Sequence, residues 1–261
     1  MAVREVCLRA DFQQLWRGQD SFAAAFALEG QLFRALEQRQ TLAFTVGQRR
    51  FFIKRHRGVT WKEILKNLVQ LRLPVVSASN EMRAIKKLQE LGIKAPVIAA
   101  YGRRGLLPAN IESFLVTEDV GPHQSLEDYC RHWRTQAPAP AHKRALITKI
   151  AHIARTMHGA GVCHRDFYLC HLLLTGADQP LTVIDVHRAL VKSNLAQRWI
   201  VKDIAGLYFS ALDAGLTRRD LYRFMRQYRG GSLRETLKKD QSFWKAVEKR
   251  ALKLYRKDIR G

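Results

Sequence analysis

The chain has 261 residues, 47% hydrophobic and 26% charged, which is enough apolar material for a sizeable core and for one domain or two lobes. It contains no apolar run of the roughly 18–20 residues that a membrane-spanning helix needs. Its opening residues, MAVREVCLRADFQQLW, lack the apolar centre of a secretory signal, and Cys7, Cys130, Cys163 and Cys170 show neither a CxxC nor a disulfide-framework spacing, as expected in a reducing cytoplasm. Lys and Arg number 45 against 23 Asp and Glu, a formal charge of +22. Such an excess predicts a polyanionic contact: nucleic acid, an anionic membrane, a phosphorylated glycolipid or an acidic protein.

Three short strands are predicted between Phe26 and Arg55, the last two forming a hairpin (Thr41–Val46 and Phe51–Lys54) that turns at Gly47. Lys54 ends the second of these among Phe52 and Ile53, a place suited to a lysine that contacts ATP phosphates. Trp61, Ile64, Leu65, Leu68 and Val69 keep helical spacing up to Pro74, with Lys62, Lys66 and Arg72 beside the stripe, so this helix is either core or a membrane-surface element. A helix from Ser77 to Leu91, stopped by Gly92, buries Met82, Ile85, Leu88 and Leu91 and carries Glu81 in its early turns as the natural partner for Lys54. Strands at Pro96–Tyr101 and Ser113–Thr117 flank a basic turn, and Glu118–Pro122 breaks the pattern as a hinge. Helices follow at Leu126–Trp133, His142–His158, Ile200–Ala214, Arg218–Arg229 and Ser242–Lys257. The last carries Lys245, Lys249, Arg250, Lys253, Arg256 and Lys257, with Arg260 beyond it, as either a solvated face or a contact for anionic lipid or an acidic protein. Strands first and helices afterwards predict an α+β protein, with a small antiparallel-sheet N-lobe over residues 1–119 and a helical C-lobe over 120–261.

Within the C-lobe lies GVCHRDFYLCHLLLTGADQPLTVIDVH, Gly161 to His187. Asp166 precedes the apolar run Leu172–Leu174, and Asp185 follows Val183–Ile184, with turn residues between the two runs. This is the pattern of a β-hairpin with one acid before its first strand and one after its second. Phosphoryl transfer needs such a pair, one carboxylate for the substrate hydroxyl and one for the magnesium on ATP. Cys163, His164, Cys170 and His171 are zinc-ligand types, but as two adjacent pairs they lack finger spacing, and zinc is not expected.

HRDFYLCH, together with IKRHRG, IDVHRA and VKDIAGLYFSA, resembles the family of lipopolysaccharide core heptose I kinases, over a span from about Gly30 to Ala211. The resemblance implies a two-lobed protein-kinase-like fold. It also implies transfer of the γ-phosphate of ATP, with Mg2+, to the first heptose of the lipopolysaccharide inner core at the cytoplasmic face of the inner membrane of Gram-negative bacteria. Residue by residue, it implies that Asp166 takes the hydroxyl proton, Asp185 binds magnesium, and Lys54 contacts phosphate with Glu81 as its partner. Asp203 would support the catalytic loop, and the backbone of Glu118 to Val120 would meet adenine. Several positions depart from the protein-kinase pattern. No GxGxxG precedes Lys54, so side chains such as Arg39 are expected to cover the phosphates. His171 replaces the usual Asn and is a candidate for phosphate or metal contact, although magnesium prefers oxygen donors. His164 is expected as a core histidine bonding the loop backbone. Asp185-Val186-His187 replaces Asp-Phe-Gly and no Ala-Pro-Glu follows, which favours a small or lipid-linked acceptor over a protein. The competing readings are a related Kdo kinase, a protein (tyrosine) kinase, and a nucleic-acid-binding or ribosome-associated protein. The basic residues are spread along the chain with no aromatic RNA-stacking motif, so no nucleic acid is expected.

Overall fold

The computed structural model describes residues 4–36, 39–58, 77–107, 110–176 and 179–259. The helix expected at 61–73, with Lys62, Lys66 and Arg72, lies outside the described residues, as does Arg260. The chain forms two compact units, one from residues 1–85 and 96–120, the other from residues 86–95 and 121–261.

The first unit is built on a six-stranded antiparallel sheet of β1 (Arg4–Leu8), β2 (Gln31–Leu36), β3 (Arg39–Val46), β4 (Arg49–Arg57), β5 (Ile98–Arg104) and β6 (Glu112–Glu118), in the order β1-β5-β6-β4-β3-β2. Val46 pairs with Arg49, so β3 and β4 are joined by a two-residue turn, which Gly47 opens at φ 61°. Alternation along β4 separates two jobs. Phe51 and Ile53 are 1% and 0% exposed on one face, while Phe52 and Lys54 take the other. The first face is sealed by a segment for which no elements are predicted: α1 (Ala10–Leu15) and α2 (Ser21–Ala27), the latter capped by Asp20. Phe12 meets Phe51 edge-on at 5.1 Å, and Trp16 and Phe22 meet Phe114 at 5.6 and 5.3 Å. The opposite face receives α3 (Ser79–Glu90) through polar contacts, with the Ala78 N–H donating to Ser113 Oγ at 2.9 Å and Ser79 Oγ lying 2.7 Å from the Tyr101 hydroxyl.

The second unit is mostly helical: α4 (Leu126–Cys130), α5 (Pro140–Gly159), α6 (Gln197–Ser210), α7 (Arg218–Arg229), α8 (Leu233–Lys239) and α9 (Gln241–Asp258). α7 has a full set of end signals, a Thr217–Asp220 capping box at its start and Gly230 at φ 72° at its end. α8 is absent from the sequence expectations because LRETLKK is too short and too charged to show a periodic stripe. The expected Leu126–Trp133 helix ends at Cys130, and the one expected at Ile200–Ala214 spans Gln197–Ser210, its last residues forming a turn instead.

Small strand pairs frame the acidic hairpin. β9 (Leu172–Leu174) pairs with β10 (Thr182–Val183) and with β7 (Gln124–Ser125), while β8 (Val162–Cys163) pairs with β11 (Leu190–Val191). Gly161 starts this framework at φ 75°, and its carbonyl accepts the Lys192 N–H at 3.0 Å. A Cβ at this position would lie 1.7 Å from the Lys192 carbonyl oxygen. Gly161→Ala therefore combines left-handed strain with a backbone clash. It should destabilise the protein by roughly 2 kcal/mol or more, read as a fall of several degrees in the thermal midpoint.

Candidate active site

The HRD segment leaves β8 in an unusual backbone conformation. Arg165 has φ 72°, a left-handed value that costs a residue with a side chain roughly 1–2 kcal/mol. Asp203 on α6 holds it there. Its Oδ2 accepts the His164 N–H at 2.6 Å and its Oδ1 accepts the Arg165 N–H at 2.7 Å. The carboxylate is 0% exposed and also accepts from His158 Nε2 at 3.3 Å, and His158 Nδ1 lies 2.8 Å from the Tyr228 hydroxyl. Burial alone would raise the pKa of Asp203. Hydrogen bonding, led by His158, outweighs it and holds the carboxyl below its ordinary value.

Two histidines then tie the ends of the hairpin together, and a third braces Asp185. His164 is 0% exposed and kept neutral by that burial, and its Nε2–H donates to the Ile184 carbonyl at 2.9 Å. His171 stacks on His164, with centroids 5.5 Å apart and planes 6° from parallel. Its Nδ1–H donates to the Asp166 carbonyl at 2.6 Å, and its Nε2 lies 3.5 Å from Asp185 Oδ2. His187 Nδ1–H donates to Asp185 Oδ1 at 2.6 Å, and Asp185 itself has φ 58°. The segment before the first strand and the segment after the second are thus cross-linked through side chains. Among the described residues no cluster of three or more His, Cys, Asp or Glu has the arrangement of a metal site.

The Asp166 carboxylate has two cationic neighbours that sequence reasoning missed. Arg188 Nη1 lies 3.3 and 3.2 Å from its two oxygens, and Lys202 Nζ lies 3.5 Å from Oδ1. Burial lowers the pKa of Lys202. Both lie inside segments that carry the family resemblance, Arg188 in IDVHRA and Lys202 in VKDIAGLYFSA, but no spacing there assigns either to Asp166. A polar groove of about 600 Å³ runs beside the hairpin, lined by Ser125, Asp128, Cys170, Leu173 and Ile184 among others.

In the sheet unit Lys54 Nζ lies 2.6 Å from Glu81 Oε1. β4 is an interior strand, so Lys54 is not a solvated charge on a sheet edge. Arg39 opens β3 opposite His56. The Glu118 N–H donates to the Val97 carbonyl at 2.9 Å and the Asp119 N–H to the Arg50 carbonyl at 3.0 Å, so both donors are engaged within the sheet unit. The Glu118 side chain is held by Arg9 and Arg49. Val120 is the last residue of this unit.

A larger apolar cavity of about 640 Å³ lies wholly within the helical unit, lined by Leu126, Trp133, Ile147, Leu207, Phe224 and Trp244 among others, with Arg218 and Lys245 also on its walls.

Residues 23–228 match the family described as the lipopolysaccharide kinase (Kdo/WaaP) family. The chain is 43% identical over 259 residues to the lipopolysaccharide core heptose(I) kinase WaaP of Escherichia coli, covering 97% of this chain and 98% of that one. It is 45% identical over 259 residues to the protein of the same name from Pseudomonas aeruginosa, covering 97% of each chain. The solved structure of WaaP in complex with acyl carrier protein shares its fold, with a TM-score of 0.84 and 41% identity over 96% of this chain and 99% of that one.

Replacing Asp203 by Ala strands two buried loop amides and should cost about 3 kcal/mol or more. Because the folded pKa of Asp203 is depressed, its contribution is complete above the unfolded value near ~4 and fades as pH falls through the lower folded value. Urea titrations of wild type and Asp203→Ala should therefore differ fully at neutral pH and converge in acid.

Proposed function

The chain belongs to the lipopolysaccharide kinase (Kdo/WaaP) family, and on that footing we propose that it is an ATP-dependent kinase that phosphorylates heptose I of the lipopolysaccharide inner core. The observation that carries this reading is the pair of carboxylates, Asp166 and Asp185, fixed to opposite ends of one hairpin by Asp203 and three histidines.

Asp166 accepts the proton of the heptose hydroxyl as its oxygen bonds to the γ-phosphorus. The bond from that phosphorus to the β–γ bridging oxygen breaks, and ADP departs with the electron pair. Asp185 would hold Mg2+, an ion that suits such a donor because it binds through one or two carboxylates and substrate phosphates. The ion, when bound, neutralises and orients those phosphates. His171, with Nδ1–H given to the loop carbonyl, serves as a spacer between the two acid segments and leaves Nε2 toward Asp185. Within the sheet unit, Lys54 contacts ATP phosphates, Glu81 keeps its ammonium in place, and Arg39 takes part in covering them. With the Glu118 and Asp119 N–H groups engaged within the sheet unit, adenine would meet the remaining backbone of Glu118 to Val120.

The acceptor is a phosphorylated glycolipid, and the reading places the enzyme on the anionic cytoplasmic face of the inner membrane, drawn by its charge of +22. No described helix is long and apolar enough to cross a membrane. The relative solved with acyl carrier protein supports an acidic protein partner of that kind here. The apolar cavity of the helical unit has the chemistry to take an acyl chain, and Lys245, Lys249 and Lys253 on α9 supply the opposite charge.

Asp166→Asn should keep its affinity for Mg2+ and a non-hydrolysable ATP analogue in calorimetry while kcat on core oligosaccharide falls roughly 10²-fold or more. Asp185→Ala should lose Mg2+-dependent nucleotide binding. Equal nucleotide affinity in wild type and Asp185→Ala would contradict the metal role.

Reversing charge at Lys245, Lys249 and Lys253 together should weaken association with an acyl carrier protein and flatten its salt dependence, with turnover of soluble core acceptor unchanged. Surface plasmon resonance at graded ionic strength checks this.

A further inference from the structure

The Asp166 carboxylate has more positive charge around it than it can neutralise. Arg188 Nη1 reaches both of its oxygens at 3.3 and 3.2 Å, which is enough to orient the group. Lys202 Nζ approaches Oδ1 at 3.5 Å, too far for a hydrogen bond that would hold the carboxylate. A third cation, Arg165, is adjacent in the chain, its guanidinium 5.0 Å from the Trp199 ring centroid. Asp203, next to Lys202 in the chain, offers no relief, because its oxygens are turned inward to the His164 and Arg165 amides and to His158.

The Lys202 side chain is 19% exposed and Asp166 15%, against 40% for Arg188. An ammonium drawn out of water is costly unless an anion matches it, and burial does lower its pKa. Among the described residues the one carboxylate in ion-pair range of Lys202 is Asp166, already bridged by Arg188. The local deficit of negative charge also grows during the reaction. As Asp166 takes up the hydroxyl proton it stops offsetting either cation, at the moment when negative charge spreads over the equatorial oxygens of the moving phosphoryl group. A hydroxyl within roughly 3 Å of Asp166 attacks a phosphorus only about 3–3.5 Å further on, within the reach of a flexible lysine.

We propose that Lys202 is a catalytic residue that neutralises the transferring phosphoryl group, while Arg188 is a positioning residue that orients Asp166. The inference rests on the kinase reading and adds a residue to it. A charge met only as the reaction proceeds raises kcat rather than ground-state affinity.

The test is calorimetric binding of ADP with Mg2+, and of ADP with Mg2+ and aluminium fluoride, to wild type, Lys202→Ala, Lys202→Met and Lys202→Arg, alongside kcat and KM. Met keeps the length of the side chain, so the comparison survives if Ala is poorly folded. ADP affinity should be unchanged in all variants. Affinity for the aluminium fluoride complex, and kcat, should fall roughly 10²- to 10³-fold in Ala and Met, and Arg should recover part of both. Wild-type affinity for the aluminium fluoride complex in Lys202→Met would overturn the proposal, leaving Lys202 as a neighbour that tunes Asp166. A raised KM for acceptor with unchanged kcat would overturn it too, assigning Lys202 to an anion on the acceptor sugar. The binding arm needs no acceptor. A protein that passes it yet fails to phosphorylate heptose would sink the sugar-kinase reading and leave this one standing.

Discussion

The site depends on one buried carboxylate. Asp203, 0% exposed, accepts the amides of His164 and Arg165, and so sustains a left-handed residue immediately before Asp166. Left-handed backbone at a residue with a side chain survives where the surroundings over-determine it. Here the surroundings are α6, which carries Asp203, and the buried Tyr228–His158 pair, which supplies a further donor to the same carboxylate. A helix of the framework, rather than the loop itself, thereby sets the direction of the Asp166 side chain.

The same economy appears in the hairpin. A protein-kinase loop uses an Asn where this chain has His171, and the histidine makes a different kind of link. It stacks on the neutral His164, bonds the Asp166 carbonyl through one nitrogen and faces Asp185 with the other. The spacing between the two acids therefore rests on aromatic stacking and hydrogen bonds in a partly desolvated place. In the sheet unit the Lys54–Glu81 pair plays a comparable part, with the strand alternation that buries Ile53 turning Lys54 toward α3.

How much of this was legible in the sequence follows from how local each signal is. The acid–strand–turn–strand–acid order around 161–187 is local, so the hairpin and both acids stood out. Strand alternation at Phe51–Lys54 and the helical period of Met82, Ile85 and Leu88 were enough to pair Lys54 with Glu81. Arg188 and Lys202 stand in the quoted motifs IDVHRA and VKDIAGLYFSA, but their approach to Asp166 was illegible because tertiary packing alone brings them there. The N-terminal cover of the sheet was missed for a related reason. Phe12 and Phe22 sit on helices of six and seven residues, too short to show a period, with Trp16 just past the end of the first, and they gain their place from Phe51 and Phe114 far along the chain. The engagement of the Glu118 and Asp119 amides within the sheet unit is likewise a fact of the register, which residue types do not encode.

Family membership, the two acids and the chemistry of the hairpin converge on phosphoryl transfer to a core sugar. The measurement that tests this most directly is mass spectrometry with linkage analysis of purified lipopolysaccharide core after incubation with the protein, ATP and Mg2+. The account predicts one added phosphate per acceptor, attached to heptose I. Phosphate on Kdo, or on protein with the core unchanged, would contradict it.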